Sequence, residues 1–590
     1  MKNIISKFTA AIVASLLLVS CTDETTDVLD ESTYPQTISE LYAGLWGCAS
    51  TGADVADQAL IIEALRGNMV QPTSNAGTEL WDIYEYRDLN GNSIVDPAGY
   101  YRIIMNVNDY VAHVNAFRQE NPTALNFEEM YGVTFDMYIS TAIRYKVWAY
   151  LMLGKIYGEA VYFDDPLKEY QDIANYPTLN FEQIIDKCLQ LMTTGMYGVD
   201  GMQMTRWRNF LFPSTTGEEE GLMRYDRYQF TPYTLLAELY LWKASLSPNL
   251  NDYKQAAINA MTEITNGGYT TGAENYLMSL RGAYGGNFKN AVHTYYRWED
   301  VTMASYNPRV GDSNRLEDYA SNVEPYSYYV MPTADARARF DTTYIANSDQ
   351  EYRDNRGGTR TFSEVAPGQY VLTKWINGSS QTSETIIALY RASNLHLMLC
   401  EALSGVAYFT EDETQHHALI EAALALINGG MGSYWNSSTG AYTEGSCFDI
   451  LYDIFGMGST SAPYLANLYR GLTHELSASQ YVNRGVRGRV DMLYVGDSIL
   501  VKDAATNEYL YTPEQQCWKL DSLIAEENFF ELSGEGHVMF TMNRIKRASA
   551  QKFANHNDFF IDWMAGGRAA ATSALSSDDG WFIKYDLKAN

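Results

Sequence analysis

The sequence predicts a mainly α-helical fold, built from helical hairpins that alternate with long irregular loops and contain little β-structure. Apolar residues recur every three to four positions along several segments, which indicates amphipathic helices. A pair of such segments occurs three times, and small residues alternate with large ones in its first member. This alternation is typical of helices that pack closely, as in tetratricopeptide-like hairpins. The pairs are 141–158 with 181–196, 231–247 with 252–269, and 385–406 with 414–430.

Residues 1–20 have the organisation of a lipoprotein signal peptide. The basic Lys2 and Lys7 precede an apolar run over 10–19, and Cys21 follows directly after Ser20. An apolar run of about ten residues is too short to cross a bilayer, which needs roughly 20. We therefore expect cleavage before Cys21 and lipid attachment to its thiol. An ordinary signal peptide, with the cysteine there by chance, is the alternative.

Residues 21–37 are polar and acidic, which is typical of a flexible spacer, so we expect a folded body over 38–590. The chain has 42 basic and 72 acidic residues, a net charge of −30 that becomes −32 when Lys2 and Lys7 leave with the signal. This charge argues against nucleic acid or an anionic membrane surface as binding partner. After the signal, no stretch is long and apolar enough to span a membrane.

The residue types that carry catalysis or bind metal show no recognisable pattern. The five cysteines besides Cys21 lack CxxC and metal-ligand spacing, so we expect buried free thiols. The sequence contains none of the common catalytic or nucleotide-binding motifs: Gly-x-Ser-x-Gly, His-Glu-x-x-His, the phosphate loop and the glycine-rich dinucleotide turn. We predict that the protein is not an enzyme and holds no cofactor or metal. Segment 88–92 is similar to a calcium loop, but its glycine is misplaced, which favours a simple turn.

Motifs in four parts of the chain follow one another in the order of a known family. They are 100–103 with Asn106, then Tyr150, Leu153 and 157–158, then Arg391, Leu397 and 401–402, and finally 524–544 with Glu531, Glu535, His537, Phe540 and Arg544. Together with the preceding lipoprotein signal, the order of these motifs resembles that of the SusD/RagB family of outer-membrane nutrient-binding lipoproteins of Bacteroidetes. The acidic pair after Cys21 is similar to the surface-export signal of such lipoproteins.

The chain also departs from the family pattern at positions where charged residues are usual. These positions are Asn528, Val538, Thr541, 393–394 and 146–147. The departures predict that neutral packing replaces a buried charge network, an exchange that is often neutral in energy. Because such positions are structural in the family, we expect them to change details of the fold and not its class.

The resemblance implies a SusD-like α-α superhelix on four tetratricopeptide-like hairpins, with family halves at about 38–230 and 231–590. It implies a lipid-anchored protein of the outer membrane that faces the cell exterior. The implied partner is a SusC-like TonB-dependent β-barrel, and the implied ligand is an oligosaccharide that is held without chemical change. The alternatives are a peptide-binding protein, as in the RagB branch, an all-helical glycan hydrolase or lyase, and an adhesin or structural surface protein.

The long stretches 67–99, 197–230, 270–382 and 431–520 are rich in Gly, Asn, Ser, Tyr and Trp, and we place the binding surface there. A sugar site needs aromatic planes and polar groups. An extended segment at 81–87 would place the side chains of 84 and 86 on one side, and simple loop packing is the alternative. The predicted ligand-binding residues are Trp81, Tyr84 and Tyr86, with Arg66 and Asn68 as hydrogen-bond donors, and a second cluster of Tyr295, Tyr296 and Trp298.

Overall fold

A computed structural model describes most of the chain from residue 38 onward, and within it the prediction of a mainly helical fold is confirmed. The signal segment, the spacer with Cys21, and the cluster of Tyr295, Tyr296 and Trp298 lie outside the described residues. The described ranges are 38–121, 134–167, 169–204, 228–266, 292–293, 299–306, 314–341, 343–344, 351–352, 354, 356–357, 360–376, 385–430, 434–436, 441–455, 485–490, 492, 494–553 and 558–588.

Helices supply the framework, and the strands between them are short. The helices are α1 (Ile38–Arg66), α2 (Thr78–Tyr84), α3 (Ala98–Glu120), α4 (Phe135–Tyr157), α5 (Phe181–Thr193), α6 (Pro232–Leu246), α7 (Leu250–Asn266), α8 (Leu316–Ala320), α9 (Ala334–Asp341), α10 (Ala392–Tyr408), α11 (Glu413–Ile427), α12 (Cys447–Ile454), α13 (Pro513–Leu532), α14 (Val538–Lys552), α15 (Asp558–Ala565) and α16 (Ala569–Leu575). The strands are β1 (Val70–Pro72), β2 (Glu159–Val161), β3 (Thr178–Asn180), β4 (Val292–His293), β5 (Asp300–Tyr306), β6 (Val330–Pro332), β7 (Thr343–Tyr344), β8 (Glu351–Tyr352), β9 (Phe362–Ala366), β10 (Gln369–Leu372), β11 (Thr385–Arg391), β12 (Trp435–Asn436) and β13 (Ala441–Tyr442).

The three repeated pairs of the sequence form helix pairs, in which α4 packs on α5, α6 on α7, and α10 on α11. The helix predicted from residue 385 is too long, because Thr385–Arg391 form β11 and α10 begins at Ala392. β11 is the central strand of an antiparallel sheet with β4 and β5. Its residues 386–390 are buried without alternation, and periodicity alone does not distinguish such a strand from a buried helix.

Small residues allow close approach between helices, as the sequence predicts. A methyl group at Gly154 of α4 would lie 2.3 Å from the ring of Phe181 on α5, and one at Gly405 of α10 would lie 2.2 Å from the ring of Tyr253 on α7. α4 then ends at Gly158, which adopts the left-handed conformation with φ of 76° that glycine tolerates. α5 begins with a capping box between Asn180 and Gln183.

A buried network of charged side chains connects the sheet to α13. Arg391, at the end of β11, pairs with Glu535 at 2.7 Å, with Glu299 at 2.9 Å and with Glu531 at 3.2 Å. Burial alone would raise the pKa of Glu535, but Arg391 and Lys374 lower it to about 2. The described members of the network are Arg356, Lys374, Arg391, Arg487 and Arg489 with Asp354, Glu299, Glu527, Glu531 and Glu535.

This network is formed by residues other than those at the positions where neutral packing was expected. At the exchanged positions themselves the residues are neutral and buried, as with Asn528, whose Nδ2 donates to the Ile524 carbonyl oxygen at 2.8 Å. Lys146 keeps a positive charge and pairs with Asp164 at 2.6 Å. The fold therefore combines a buried charge network with neutral buried residues at the exchanged positions other than Lys146.

The five cysteines in the described part of the chain, Cys48, Cys188, Cys400, Cys447 and Cys517, are free and buried, which confirms the expectation for these thiols. Across the described ranges, no helix combines the length and the apolar character that a membrane span requires. Over the same ranges, no group of three or more His, Cys, Asp or Glu side chains is arranged to hold a metal ion. Segment 88–92 forms a turn in which Asp88 accepts hydrogen bonds from the backbone and side-chain nitrogens of Asn90.

Candidate functional site

The segment around Trp81 is a short helix, α2, and not an extended loop. Residues three apart lie on the same side of a helix, so Trp81 and Tyr84 meet edge to face with their ring centroids 6.2 Å apart. Both side chains are half-buried. The predicted pairing of Tyr84 with Tyr86 by strand alternation is therefore replaced by a pairing of Tyr84 with Trp81.

Tyr86 follows the helix in a left-handed backbone conformation with φ of 57°. Its hydroxyl donates to the carbonyl oxygen of Arg66 at 2.8 Å, and the guanidinium of Arg66 lies 4.0 Å from the centre of its ring. The ring packs against the core. These two contacts fix the Tyr86 ring against Arg66, the last residue of α1.

Arg66 and Asn68, which the sequence predicts as hydrogen-bond donors to a ligand, make hydrogen bonds inside the protein. Arg66 is 3% exposed and donates to the carbonyl oxygen of Gly580 at 2.7 Å. Burial lowers its pKa. Asn68 is also 3% exposed, and its Nδ2 donates to Asp335 at 2.8 Å. Both side chains are therefore buried and bonded within the protein, and their role as ligand donors stays a prediction.

Arg568 takes a place at this surface that the sequence did not predict. Its guanidinium lies 4.5 Å from the centre of the Tyr84 ring and donates to the carbonyl oxygens of Tyr84 and Arg66, each at 2.8 Å. Burial raises the pKa of the Tyr84 hydroxyl, and the charge of Arg568 opposes that rise. Arg568 is therefore a positioning residue for the aromatic side chains around α2.

A second aromatic cluster lies beside α2, where β1 pairs with β6. Thr73, directly after β1, donates through its hydroxyl to the carbonyl oxygen of Tyr328 at 2.6 Å. The Tyr328 hydroxyl donates to the carbonyl oxygen of Tyr370 on β10 at 2.7 Å. The guanidinium of Arg337, on α9, lies 3.4 Å from the centre of the Tyr370 ring. The cluster therefore combines residues from the segment after β1, from the segments on either side of β6, and from β10.

Strained backbone marks the same region. Tyr328 has φ of 52°, and in the described chain the other non-glycine residues with positive φ are Asn68, Tyr86, Tyr197 and Asn507. Three of these five residues, 68, 86 and 328, lie at or directly beneath the two aromatic clusters. Such conformations cost of order 1–3 kcal/mol each and concentrate at functional sites. We call this surface the tyrosine–arginine face, and it comprises Trp81, Tyr84, Tyr86, Tyr328, Tyr370, Arg337 and Arg568.

The face offers aromatic planes and cationic nitrogens, and two carboxylates beside it are engaged in ion pairs. Asp335 pairs with Arg339 at 2.7 Å, and Asp82 pairs with Arg87 at 3.0 Å. Both acids are therefore tied to arginines rather than left as a free acid and base. The arrangement suits stacking and hydrogen bonding to a ligand.

Sequence reasoning identified the half of the face around α2 and missed the other half. The run 326–329, which contains three tyrosines, is a signal that points to Tyr328. No local signal identifies Tyr370, Arg337 or Arg568, because their roles depend on contacts between distant segments. The cluster of Tyr295, Tyr296 and Trp298 stays a prediction.

No protein-family model matches the chain, and no curated protein matches it. Several solved structures are similar to it. A SusD homolog from Bacteroides thetaiotaomicron is 12% identical with a TM-score of 0.49, covering 90% of each chain. A SusD superfamily protein from the same organism is 13% identical with a TM-score of 0.48, covering 86% of this chain and 89% of that one. A laminarin-binding SusD-like protein is 12% identical with a TM-score of 0.47, covering 89% and 96%.

Proposed function

We propose that this protein is a SusD-like cell-surface lipoprotein that binds a nutrient oligosaccharide without converting it and delivers it to a SusC-like TonB-dependent transporter. The observation that carries the proposal is the tyrosine–arginine face. Its rings are half-buried, so each keeps an accessible portion while its position is fixed by protein contacts. Aromatic side chains held in this way stack on the apolar faces of sugar rings at little cost in conformational entropy.

The family motifs support the proposal because their residues meet in space. Arg391 of the third motif pairs with Glu531 and Glu535 of the last. Glu401 of the third motif accepts two hydrogen bonds from Arg544 of the last, at 2.8 and 2.7 Å. Motif residues more than 100 positions apart thus form buried ion pairs, as expected if the motifs together maintain one fold.

Binding without catalysis is the reading that the face supports best. General acid–base chemistry needs a carboxyl group within hydrogen-bond reach of the reacting atoms. Two acidic side chains beside the rings, Asp82 and Asp335, are paired with arginines. The aromatic rings and arginines supply contacts for stacking on a ligand and for hydrogen bonding to it.

Surface attachment through Cys21 is the second part of the proposal, and the signal pattern of residues 1–20 supports it. A Cys21→Ala variant is expected to leave the membrane fraction, and protease added to intact cells is expected to cleave the wild-type protein. Retention of the variant in membranes, or full protection of the wild type, would contradict the attachment. The transporter partner is tested by co-purification from detergent-solubilised outer membranes, and repeated recovery of a lone monomer contradicts it.

The binding proposal is tested with purified protein and a panel of oligosaccharides and peptides. Reversible retention of a glycan, with no new reducing ends, is the expected result. New reducing ends would instead identify a glycan hydrolase or lyase. Binding to peptides alone would identify a RagB-like protein, and no binding to either class would leave an adhesin or structural role.

A further inference from the structure

Arg337 belongs to the tyrosine–arginine face and leaves most of its hydrogen-bonding capacity unused within the described part of the chain. Its Nε donates to the carbonyl oxygen of Thr333 at 3.3 Å. In the described part of the chain, its two terminal nitrogens have no hydrogen-bond or ion-pair partner. The side chain is half-buried, so these nitrogens remain within reach of a ligand at the surface.

The neighbouring arginines are bonded differently. Arg87 pairs with Asp82, and Arg339 pairs with Asp335 and donates to the Trp563 carbonyl oxygen at 2.6 Å. Arg568 directs its nitrogens to backbone carbonyl groups. In a chain with 72 acidic and 42 basic residues, a carboxylate partner is easily supplied. Within the described part of the chain, Arg337 is therefore a cation without an ion-pair partner.

The position of Arg337 is also fixed before any ligand arrives. Its guanidinium lies 3.4 Å from the centre of the Tyr370 ring, close enough for stacking. The Tyr370 backbone is held by the Tyr328 hydroxyl, and Tyr328 is held in turn by its own N–H, which donates to the Asp318 carbonyl oxygen at 3.0 Å. A guanidinium that stacks on a ring still presents N–H groups at its edge, in a fork that matches a carboxylate.

We propose that the ligand is an acidic oligosaccharide, and that Arg337 binds the carboxylate of one of its uronic acid residues while the aromatic rings stack on the sugars. This inference rests on the proposed function and adds the chemical class of the ligand. The net negative charge of the protein repels an anion at long range, but physiological salt screens exposed charges beyond about 8 Å. Recognition therefore depends on the direct contact with Arg337.

The experiment is a calorimetric titration with a matched pair of ligands: an oligogalacturonide and the same oligosaccharide with its carboxyl groups reduced to alcohols. A panel of other uronic acid, sulfated and neutral oligosaccharides accompanies the pair. The variants are Arg337→Met, which removes the charge, and Arg337→Lys, which keeps the charge without the fork. Arg102→Met is the control, because Arg102 is also an arginine at the surface, is 53% exposed, and lies on α3, which contributes no residue to the face.

The expected result is that a uronic acid oligosaccharide binds at least tenfold more tightly than its reduced form. Arg337→Met removes this preference, Arg337→Lys retains part of it, and Arg102→Met leaves it unchanged. Three outcomes overturn the inference and leave the proposed function intact. They are equal binding of the acidic and reduced forms, binding of sulfated glycans alone, and a preference for the acidic form that survives Arg337→Met. Binding to no glycan at all contradicts the proposed function instead. Thermal unfolding of each variant establishes that it is folded.

Discussion

The carboxylate of Glu63 accepts a hydrogen bond from the backbone N–H of Val538 at 2.5 Å, and further bonds from Gly536 at 3.0 Å and Met539 at 3.2 Å. Glu63 lies near the end of α1, and Val538 is the first residue of α14. An acidic side chain is favourable at a helix N-terminus, where backbone N–H groups have no partner within the helix. One carboxyl group therefore joins the first described helix to the last family motif.

The first prediction concerns the pH dependence of stability through Glu63. Burial raises the pKa of Glu63 from about 4.5 to about 7, against the opposing effect of its three backbone N–H donors. Between about pH 4.5 and about pH 7, the Glu63 carboxyl group is ionised in the unfolded chain and protonated in the folded protein. The free energy of unfolding therefore falls as pH rises. The loss is on the order of 3 kcal/mol and is complete above about pH 7.

Glu63→Gln removes this titration and keeps one acceptor oxygen. The stability difference between wild type and variant is measured by thermal or urea unfolding from pH 5 to pH 8, which cancels the titration of all other groups. The wild type should lose stability relative to the variant as pH rises. A difference that stays constant with pH would show that Glu63 titrates near its ordinary value.

The second prediction concerns the buried charge network. Arg391→Met leaves Glu531 and Glu535 without one of their cationic partners in a buried site, and breaking a buried ion pair typically costs about 3–5 kcal/mol. Arg102→Met is the control, because its exposed pair with Asp54 spans 3.7 Å and such pairs contribute about 0–1 kcal/mol. Urea unfolding measures both. Equal effects of the two substitutions would show that the network does not stabilise the fold.

The third prediction concerns glycines inside helices. Gly154→Ala should destabilise the protein, because the added methyl group would lie 2.3 Å from the ring of Phe181. Gly47→Ala, in α1, should stabilise it by roughly 0.5–1 kcal/mol, because no atom lies within 4 Å of the added group and alanine favours helix more than glycine does. Opposite shifts in melting temperature are expected. Stabilisation by both substitutions would contradict the close packing of α4 on α5.

The fourth prediction separates a ligand contact from a structural role for Trp81. Trp81→Ala should weaken glycan binding by about 1–3 kcal/mol, as for an aromatic interface anchor. It should lower stability by less than the roughly 3–5 kcal/mol that truncation of a fully buried aromatic costs, because Trp81 is half-buried. Tyr197→Ala is the matched control, since Tyr197 is 49% exposed, has positive φ and lies outside the face. A sharp fall in melting temperature with intact affinity would place Trp81 in the core.

The fifth prediction assigns Arg66 to stability and not to binding. Arg66→Met removes the hydrogen bond to the Gly580 carbonyl oxygen and the stacking on Tyr86, at a cost of about 1–3 kcal/mol. Hydrogen exchange should become faster around 578–583, while glycan affinity changes little. If glycan affinity falls while hydrogen exchange is unchanged, Arg66 acts as a hydrogen-bond donor to the ligand, as the sequence predicts.

The sequence alone identified the helical framework because its signals are local. Apolar spacing and small residues such as Gly154 act within a few turns of helix, and the structure confirms the three repeated helix pairs. The buried free thiols follow from residue type and spacing in the same way. The strand at 385–391 was mistaken for helix, since a short buried apolar run fits either element. The short helices α2, α8, α9 and α12 lie in stretches that were predicted to be irregular.

The tertiary structure decided what the polar residues do. Arg66 was predicted as a ligand donor because its burial depends on the C-terminal segment, 514 residues further along the chain. Arg568 bonds to the Arg66 carbonyl oxygen across 502 residues, and Arg337 meets Tyr370 only because β10 lies beside β6. A charged side chain is free or engaged according to which distant groups surround it. Sequence periodicity determines which face of a helix is buried, but the partners of an arginine are determined only when the chain folds.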